Sequence, residues 1–235
     1  MVTAASHEML LSEIRHKPLR HTVRTRIEEA IVQGTFKGGE KLNEAKLCRA
    51  LGVSRGSVRE ALRELEASGV LVSIPYRGTF VKEWTPRSVW ELYTLRSSLE
   101  EFSIELAVER ASEEDLRDLD LLVQTMHEAA QADDAAQLVE IDLQFHQHLH
   151  QMTGHRLLQA VLQGLAGQTR MFIIATKAFY SPFASLEEAA ASHDPIVDAL
   201  RARDPHAARN AIREHIKAVG ERYVEQLEAA ESDDG

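Results

Sequence analysis

Residues 43–66 have the sequence NEAKLCRALGVSRGSVREALRELE, and this stretch decides the fold of the first third of the chain. Asn43 can cap a short helix that ends just before a turn at Gly52. Ser54 can cap a longer helix, whose apolar positions recur at helical spacing as far as about Ser68. A short helix, a glycine-containing turn and a longer helix together form the helix-turn-helix pattern.

The segments on both sides of this pattern complete a winged helix. Upstream, apolar residues at helical spacing predict a first helix that closes at Gly34. These residues are Val23, Ile27, Ala30 and Ile31. Downstream, β-prone runs at 70–74 and 79–81 flank a turn, which predicts a hairpin beside the third helix. We therefore expect a winged helix-turn-helix domain over residues 1–82, in which residues 1–17 are flexible.

Polar residues at the start of the longer helix are candidates for DNA contact. Arg55, Arg59 and Arg63 fall four residues apart, on a stripe beside the buried one. Arginine suits both the guanine edge in the major groove and a phosphate, while Ser54 and Ser57 can bond phosphates at the helix N-terminus. The alternative is a solvated helix face that pairs with nearby glutamates, and it applies best to Arg63.

The charge of the chain is divided unevenly. Residues 1–82 contain 14 Lys and Arg against 9 Asp and Glu, a net charge of +5, whereas the remainder contains 13 against 28, a net charge of −15. A basic module joined to an acidic one is typical of a nucleic-acid-binding domain attached to another domain, although chance clustering of solvated charge gives the same numbers.

The single cysteine, Cys48, rules out an internal disulfide. With no signal-peptide pattern and no long apolar run, we expect a cytoplasmic protein without a membrane partner.

The remaining two thirds predict an all-helical domain over residues 87–230. Residues 83–86 form a short linker, and residues 231–235 a frayed tail. Between them helical periodicity is nearly unbroken, which indicates a mainly α protein whose second domain is an antiparallel bundle. We predict six helices, at roughly 86–111, 112–130, 133–153, 155–180, 183–202 and 204–230.

Four polar residues on apolar stripes of this bundle are candidate metal ligands. Asp142 and His146 stand one helical turn apart and can bind one ion from a single helix face. His193 and His215 can complete the site from two other helices. A carboxylate with three imidazoles suits zinc best, with nickel, cobalt or manganese as alternatives. For each histidine taken singly, a structural role is the competing interpretation.

Two arginines are candidates for binding an effector. Arg96 lies on the apolar stripe of the first bundle helix, so it points to the same interior as the candidate ligands. A cation and a guanidinium together favour a small carboxylate, such as an α-hydroxy or keto acid. Arg170 can assist from the fourth helix or face solvent. The alternative for Arg96 is an internal salt bridge to Glu100 or Asp142.

The first third closely resembles the GntR family of bacterial regulators. The resemblance is carried by LNE at 42–44, LGVSRGSVREALRELE at 51–66, Gly69 and the turn PYRG at 75–78. It implies that Arg55, Ser57 and Arg59 contact operator DNA. It also implies that the wing tip at Arg77 and Gly78 enters the neighbouring minor groove.

The second part resembles the FCD ligand-binding domain of the FadR subfamily, in its VanR-like branch. The resemblance is carried by LYTLR at 92–96, Leu99-Glu100, DLQFH at 142–146, His193 and His215. It implies that Asp142 and the three histidines hold a divalent cation and that Arg96 binds an organic acid. The chain departs from the family at Ser192, where a glutamate is usual, and Pro195 could kink the helix that carries His193.

These observations predict a metabolite-responsive regulator, a repressor by family analogy, which binds operator DNA as a homodimer and senses a small carboxylate. One alternative is a metal-free regulator that senses acyl-CoA. The other is a metal-dependent hydrolase, since open coordination positions can activate water. The hydrolase would leave the DNA-binding module unexplained, and no separate general base stands out.

Overall fold

The structure is a computed structural model that describes residues 19–176, 183 and 185–233. The segment 1–17, which we expect to be flexible, lies outside the described residues. Residues 177–182 and 184, at the end of the fourth predicted bundle helix and the start of the fifth, also lie outside them, as do the last two residues of the predicted tail.

The winged-helix domain (residues 19–82) consists of three helices and one hairpin. They are α1 (Leu19–Val32), α2 (Glu44–Leu51), α3 (Arg55–Ala67), β1 (Leu71–Ile74) and β2 (Gly78–Val81). The strands are antiparallel, and Leu71 lies opposite Val81. Asn43 caps α2 by accepting a hydrogen bond from the Lys46 amide, and Ser54 caps α3 in the same way. The predicted helix-turn-helix and wing are therefore confirmed.

The helical domain (residues 86–233) contains seven helices in the described part of the chain. They are α4 (Pro86–Arg110), α5 (Glu113–Gln131), α6 (Ala135–Met152), α7 (Arg156–Thr176), α8 (Leu186–Ala191), α9 (Asp194–Arg201) and α10 (Pro205–Asp233). The two longest, α4 and α10, pack along each other, and a single hydrophobic core joins all seven. The mainly α fold class is confirmed. In the described ranges, no helix combines the length and the apolar character that crossing a membrane requires.

The helix predicted over 183–202 is divided into α8 and α9. Helix α8 ends at Ala191 with Ser192 as its C-cap, His193 takes the N-cap position of α9, and Pro195 falls in the first turn of α9. Proline lacks an amide hydrogen and is accommodated in a first turn, but it breaks a helix interior. Pro195 therefore starts a new helix rather than kinking a continuous one, and it leaves His193 at the junction.

Helix α7 joins the two domains. Its Met171 is buried in the hydrophobic core of the winged-helix domain, although it belongs to the helical domain in sequence. Trp84, in the predicted linker, packs against the cores of both domains. Lys82 donates a hydrogen bond of 2.7 Å to the side chain of Gln168 on α7. The linker is therefore an interface that fixes the orientation of the winged-helix domain.

Candidate DNA-binding surface and metal centre

The start of α3 presents the predicted DNA-contacting residues to solvent. Arg55 and Arg59 are exposed, and the Ser54 hydroxyl lies 3.0 Å from that of Ser57. Arg59 donates through Nε to Glu44 of α2 over 2.9 Å. Exposed ion pairs of this kind contribute at most about 1 kcal/mol, so Arg59 can exchange Glu44 for DNA at little cost.

The wing carries a second cation that the sequence reading missed. The Arg77 guanidinium lies 5.8 Å from the centre of the Phe80 ring, and the Lys41 ammonium lies 5.9 Å from the same centre. A Cβ at Gly78, where φ is +113°, would approach Lys41 Cε to 2.8 Å. Lys41 reaches the wing because it forms an isolated β-bridge with Phe80. Neither its spacing nor its neighbours in sequence indicate that pairing.

The four predicted metal ligands come together inside the helical domain. Helix α6 supplies Asp142 and His146, the α8–α9 junction supplies His193, and α10 supplies His215. One ligand atom from each residue lies within 4.8 Å of all the others. His193 Nε2 is 3.1 Å from Asp142 Oδ1, and both His146 and His193 are only 1% exposed.

The surroundings of His146 and His193 fix which ring nitrogen carries the hydrogen. His146 Nδ1 lies 3.1 Å from the Glu100 carboxylate. His193 Nδ1 lies 3.1 and 3.2 Å from the backbone carbonyl oxygens of Ala189 and Ala190. Carboxylate and carbonyl oxygens only accept hydrogen bonds, so both Nδ1 atoms donate. In the neutral rings each Nε2 then carries a lone pair, which faces the cluster.

A pocket that contains only acceptors needs a positive charge. His146 Nε2 is buried and has no hydrogen-bond partner among the described residues. His193 Nε2 and Asp142 Oδ1 would meet lone pair to lone pair unless a proton or a metal ion lay between them. Buried imidazole nitrogens and one carboxylate, aimed at a common point, are the donor set of a divalent transition metal. The residues present therefore fit a metal ion.

The electrostatics of the cluster favour the states in which its residues can bind a metal. Burial would raise the pKa of Asp142, but the adjacent His193 and the nearby His146 hold that pKa below its ordinary value. Burial lowers the pKa of His146. Burial, with His193 and His146 close by, also holds the pKa of His215 well below its usual range. An ionised carboxylate and neutral imidazoles are the forms that coordinate metals.

Glu100 connects Arg96 to this cluster. Its Oε1 accepts from Arg96 Nε at 3.0 Å, and its Oε2 lies 3.1 Å from His146 Nδ1 and from His150 Nε2. Burial opposes ionisation, yet His146, His150 and Arg96 hold the pKa of Glu100 well below its ordinary value. Burial would lower the pKa of Arg96, but Glu100 and Asp142 raise it. The internal salt bridge to Glu100, given above as the alternative role of Arg96, is therefore present.

A second group of three residues has the spacing of a metal site, but it differs from the first because one of its members already accepts hydrogen bonds from its neighbours. Ligand atoms of Glu100, His146 and His150 lie within 4.8 Å of one another. Glu100 already accepts from Arg96 and from His146 Nδ1, so this group contains donors as well as acceptors. His150 was not singled out in the sequence, and its Nε2 lies 3.1 Å from the Glu100 carboxylate. We interpret the group as support for the first site.

The structure does not bring Arg170 to the cluster. Its guanidinium pairs with Glu140 of α6 at 2.7 Å, and its side chain is 44% exposed. It lines a surface cleft of about 490 Å³ between α6 and α7 that also touches His150. Arg170 therefore faces solvent, which was the alternative to an effector-binding role.

Comparison with known families decides the identity of the chain. Residues 91–218 match the model of the FCD domain, and residues 19–81 match that of the bacterial regulatory proteins of the gntR family. The chain belongs to the GntR family. It is a transcription regulator of the GntR type with an FCD domain, and not an enzyme.

Its relatives among known proteins are GntR regulators as well. The "Probable D-xylose utilization operon transcriptional repressor" of Paenarthrobacter nicotinovorans is 32% identical over 205 residues, which cover 85% of this chain and 88% of that protein. The "Glc operon transcriptional activator" of Escherichia coli K12 is 26% identical over 224 residues, or 86% and 88% of the two chains. The uncharacterized regulator YdhC of Bacillus subtilis is 32% identical over 138 residues, but the match covers only 62% of its length and 58% of this chain.

A solved GntR regulator shares the fold. The structure of E. coli McbR/YncC superposes with a TM-score of 0.69 at 22% identity and covers 90% of this chain and all of that one. The gntR match implies that the winged-helix domain binds DNA, and the FCD match suggests a small-molecule effector. FCD domains are often metal-binding, and the four-residue cluster is a candidate site of that kind.

Proposed function

We propose that this GntR regulator is a repressor that binds a pseudo-palindromic operator as a homodimer and senses a small organic acid at a divalent metal. The observation that carries the proposal is the acceptor-only pocket beside a buried arginine. The repressor assignment is supported by the relative from Paenarthrobacter nicotinovorans, whose name describes a repressor and which matches 85% of this chain.

The metal would be held by Asp142, His146, His193 and His215. Zinc suits this set of nitrogen and oxygen donors best, and nickel, cobalt and manganese are the alternatives. A bound ion would offer open coordination positions to a carboxylate or hydroxyl oxygen. The alternative of a metal-free acyl-CoA sensor leaves the acceptor-only pocket without a cation.

Arg96 would hold the acid against this site. Its Nε is bonded to Glu100, and its two terminal amino groups make no hydrogen bond to any other described residue. Those amino groups form a fork that matches a carboxylate, and Asp142 lies close enough to Arg96 to influence its pKa. Glu100 thus holds the guanidinium of Arg96 through Nε and leaves its two terminal amino groups for a ligand.

The DNA contacts and the dimer follow from exposed surfaces of the two domains. The proposed DNA-binding residues are Ser54, Arg55, Ser57, Arg59, Arg77 and Gly78. For the dimer, α4 exposes Leu95 and Phe102, and α7 exposes Leu157 and Val161. Exposed apolar side chains on two neighbouring helices favour a protein interface, and a second copy would give two linked DNA-binding domains for two half-sites.

The proposal is tested with an operator selected from random DNA and with native mass spectrometry of the full chain. We expect a dimer with one metal per chain, and release of the operator by at least one member of a panel of lactate, glycolate, pyruvate and citrate. Arg96→Lys keeps a charge beside Glu100 but loses the fork, so it should keep metal and operator and lose the response to acid. Arg209→Ala, which removes a surface pair with Glu101, is the matched control. An Arg96→Lys protein that responds at unchanged acid concentration would make Arg96 purely structural.

A further inference from the structure

Ser192, the last residue before the α8–α9 junction, contacts one of the candidate metal ligands in a way that hydrogen counting can resolve. Its hydroxyl oxygen lies 2.6 Å from the carbonyl oxygen of Ala189 and 3.0 Å from His215 Nδ1. A hydroxyl has one hydrogen, and a carbonyl oxygen can only accept. The Ser192 hydrogen is therefore donated to Ala189, and Oγ is left as an acceptor.

An accepting Oγ determines the state of His215. The neighbouring His215 Nδ1 must carry the hydrogen of that ring and donate it to Ser192. The Nε2 of the neutral ring then holds the lone pair and is free for the cluster of Asp142, His146 and His193. Without Ser192, nothing in this contact would select one ring nitrogen over the other.

One backbone carbonyl therefore orients two ligands. The Ala189 oxygen accepts from the Ser192 hydroxyl and also lies 3.1 Å from His193 Nδ1. The end of α8 thus acts on His193 directly and on His215 through Ser192. His146 differs, because its Nδ1 is backed by the carboxylate of Glu100. A carboxylate partner raises the basicity of a ligating imidazole, which a hydroxyl does much less.

We propose that Ser192 is a positioning residue of the metal site, which holds His215 in the tautomer that presents Nε2 to the ion. This inference rests on the proposed metal site. The orientation of His215 then depends on one hydrogen bond to a neutral group, the Ser192 hydroxyl. His215 is therefore the ligand at which a single substitution outside the site should most easily change metal affinity. Partners of ligating histidines typically change metal affinity by about 10- to 100-fold when removed.

The first experiment needs no metal. Long-range 1H–15N correlation spectra of the metal-free full chain, with 15N-labelled histidine, report the tautomer of each neutral ring, and a His215→Gln variant identifies the resonance. We expect the Nδ1–H form for His215 in the parent and a mixture of tautomers in Ser192→Ala. The Nε2–H form in the parent would overturn the inference, whatever the protein does with metals.

The second experiment titrates the same proteins with Co2+ and follows its visible absorption. Ser192→Ala should bind about 10- to 100-fold more weakly than the parent and with an altered spectrum, whereas Ser192→Thr, which keeps the hydroxyl, should restore both. A cleft of about 430 Å³ borders Ser192 and leaves room for the added methyl group. Ser103→Ala is the matched control, because it removes a buried hydroxyl that has no hydrogen-bond partner among the described residues.

The two experiments separate failure of the inference from failure of the proposed function. Equal Co2+ affinity and equal spectra for the parent and Ser192→Ala would overturn the positioning role while leaving the metal site in place. A parent that binds no Co2+ but shows the Nδ1–H form of His215 would overturn the metal site, and with it the role of Ser192 there. In that case the hydrogen-bond assignment would still stand.

Discussion

The two domains place their functional residues in opposite environments. In the winged-helix domain, the DNA-binding candidates at the start of α3 all lie within the six consecutive positions 54–59. Arg55 and Arg59 among them are exposed. In the helical domain, Asp142 and His215 are 73 positions apart in sequence and lie in a largely buried cluster. Exposed charged side chains stay hydrated until they bind DNA. Buried polar and charged side chains need hydrogen-bond or charge partners within the fold itself. Function and stability are therefore separable in the first domain and linked in the second.

The largest effect should come from Glu100, which tests the link between function and stability in the helical domain. Glu100→Ala leaves Arg96 buried without its carboxylate and should lower the free energy of unfolding by about 3–5 kcal/mol. Urea unfolding followed by circular dichroism measures this. Glu140→Ala, which removes a carboxylate from the exposed pair with Arg170, should change the same quantity by at most about 1 kcal/mol. Similar effects for the two variants would show that burial of the network does not matter.

Metal removal should have the next largest effect, confined to the helical domain. At a free metal concentration about 100 times its dissociation constant, a ligand that binds only the folded state contributes about 2.7 kcal/mol to stability. EDTA should remove that contribution from the parent, which calorimetry can record as a lower melting temperature. The double variant His193→Ala with His215→Ala should melt at the same temperature with and without EDTA. A double variant that still responds to EDTA would place the metal elsewhere.

A smaller effect, on DNA binding alone, should come from Arg59. Arg59→Ala should weaken specific operator binding by about 1–3 kcal/mol, because it removes a side chain able to contact a base edge in the major groove. Fluorescence anisotropy at constant salt measures this, and urea unfolding should be unchanged. Arg63→Ala, one turn further along α3, should weaken binding less. If the order of the two variants were reversed, the orientation of α3 on DNA would have to be revised.

The smallest effect should come from Arg170. Its exposed pair with Glu140 contributes about 0–1 kcal/mol, so Arg170→Ala should barely alter unfolding. Because Arg170 lies in the surface cleft rather than at the cluster, the concentration of acid that releases the operator should also stay the same. A clear rise in that concentration would give Arg170 the effector-binding role that the sequence suggested.

The parts of the molecule that the sequence predicts well are those decided by neighbouring residues. Asn43 and Ser54 cap α2 and α3 because a side chain of that type bonds an amide three residues ahead, which is a local rule. The same holds for the hairpin with its tight turn at 75–78, and for Asp142 and His146 one turn apart. His193 and His215 stood out as polar residues on apolar stripes of other helices, and the family resemblance then implied that they join Asp142 and His146 in one site.

The parts that it does not predict are decided by contacts between distant segments. Helical spacing allowed Arg96 to meet Glu100, but it could not show that the other carboxylate oxygen of Glu100 would face His146, which is 46 positions away. Ser192 stood out only as a departure from the family, because its two hydrogen bonds depend on where α8 ends. The periodicity of 183–202 continues through that end, so it concealed the break that Pro195 imposes.

The position of Met171 limits how the two domains can be separated or exchanged in protein engineering. The side chain is a structural part of one domain supplied by the other, since it completes the core formed by α1, α3 and the hairpin. A winged-helix domain cut out alone would expose a gap where Met171 had been, and large-to-small changes at such positions destabilise by about 2–5 kcal/mol. A chimera that joins this DNA-binding domain to a foreign FCD domain therefore needs an apolar residue at the same place on the seventh helix. The domains can be exchanged only as partners that fit each other.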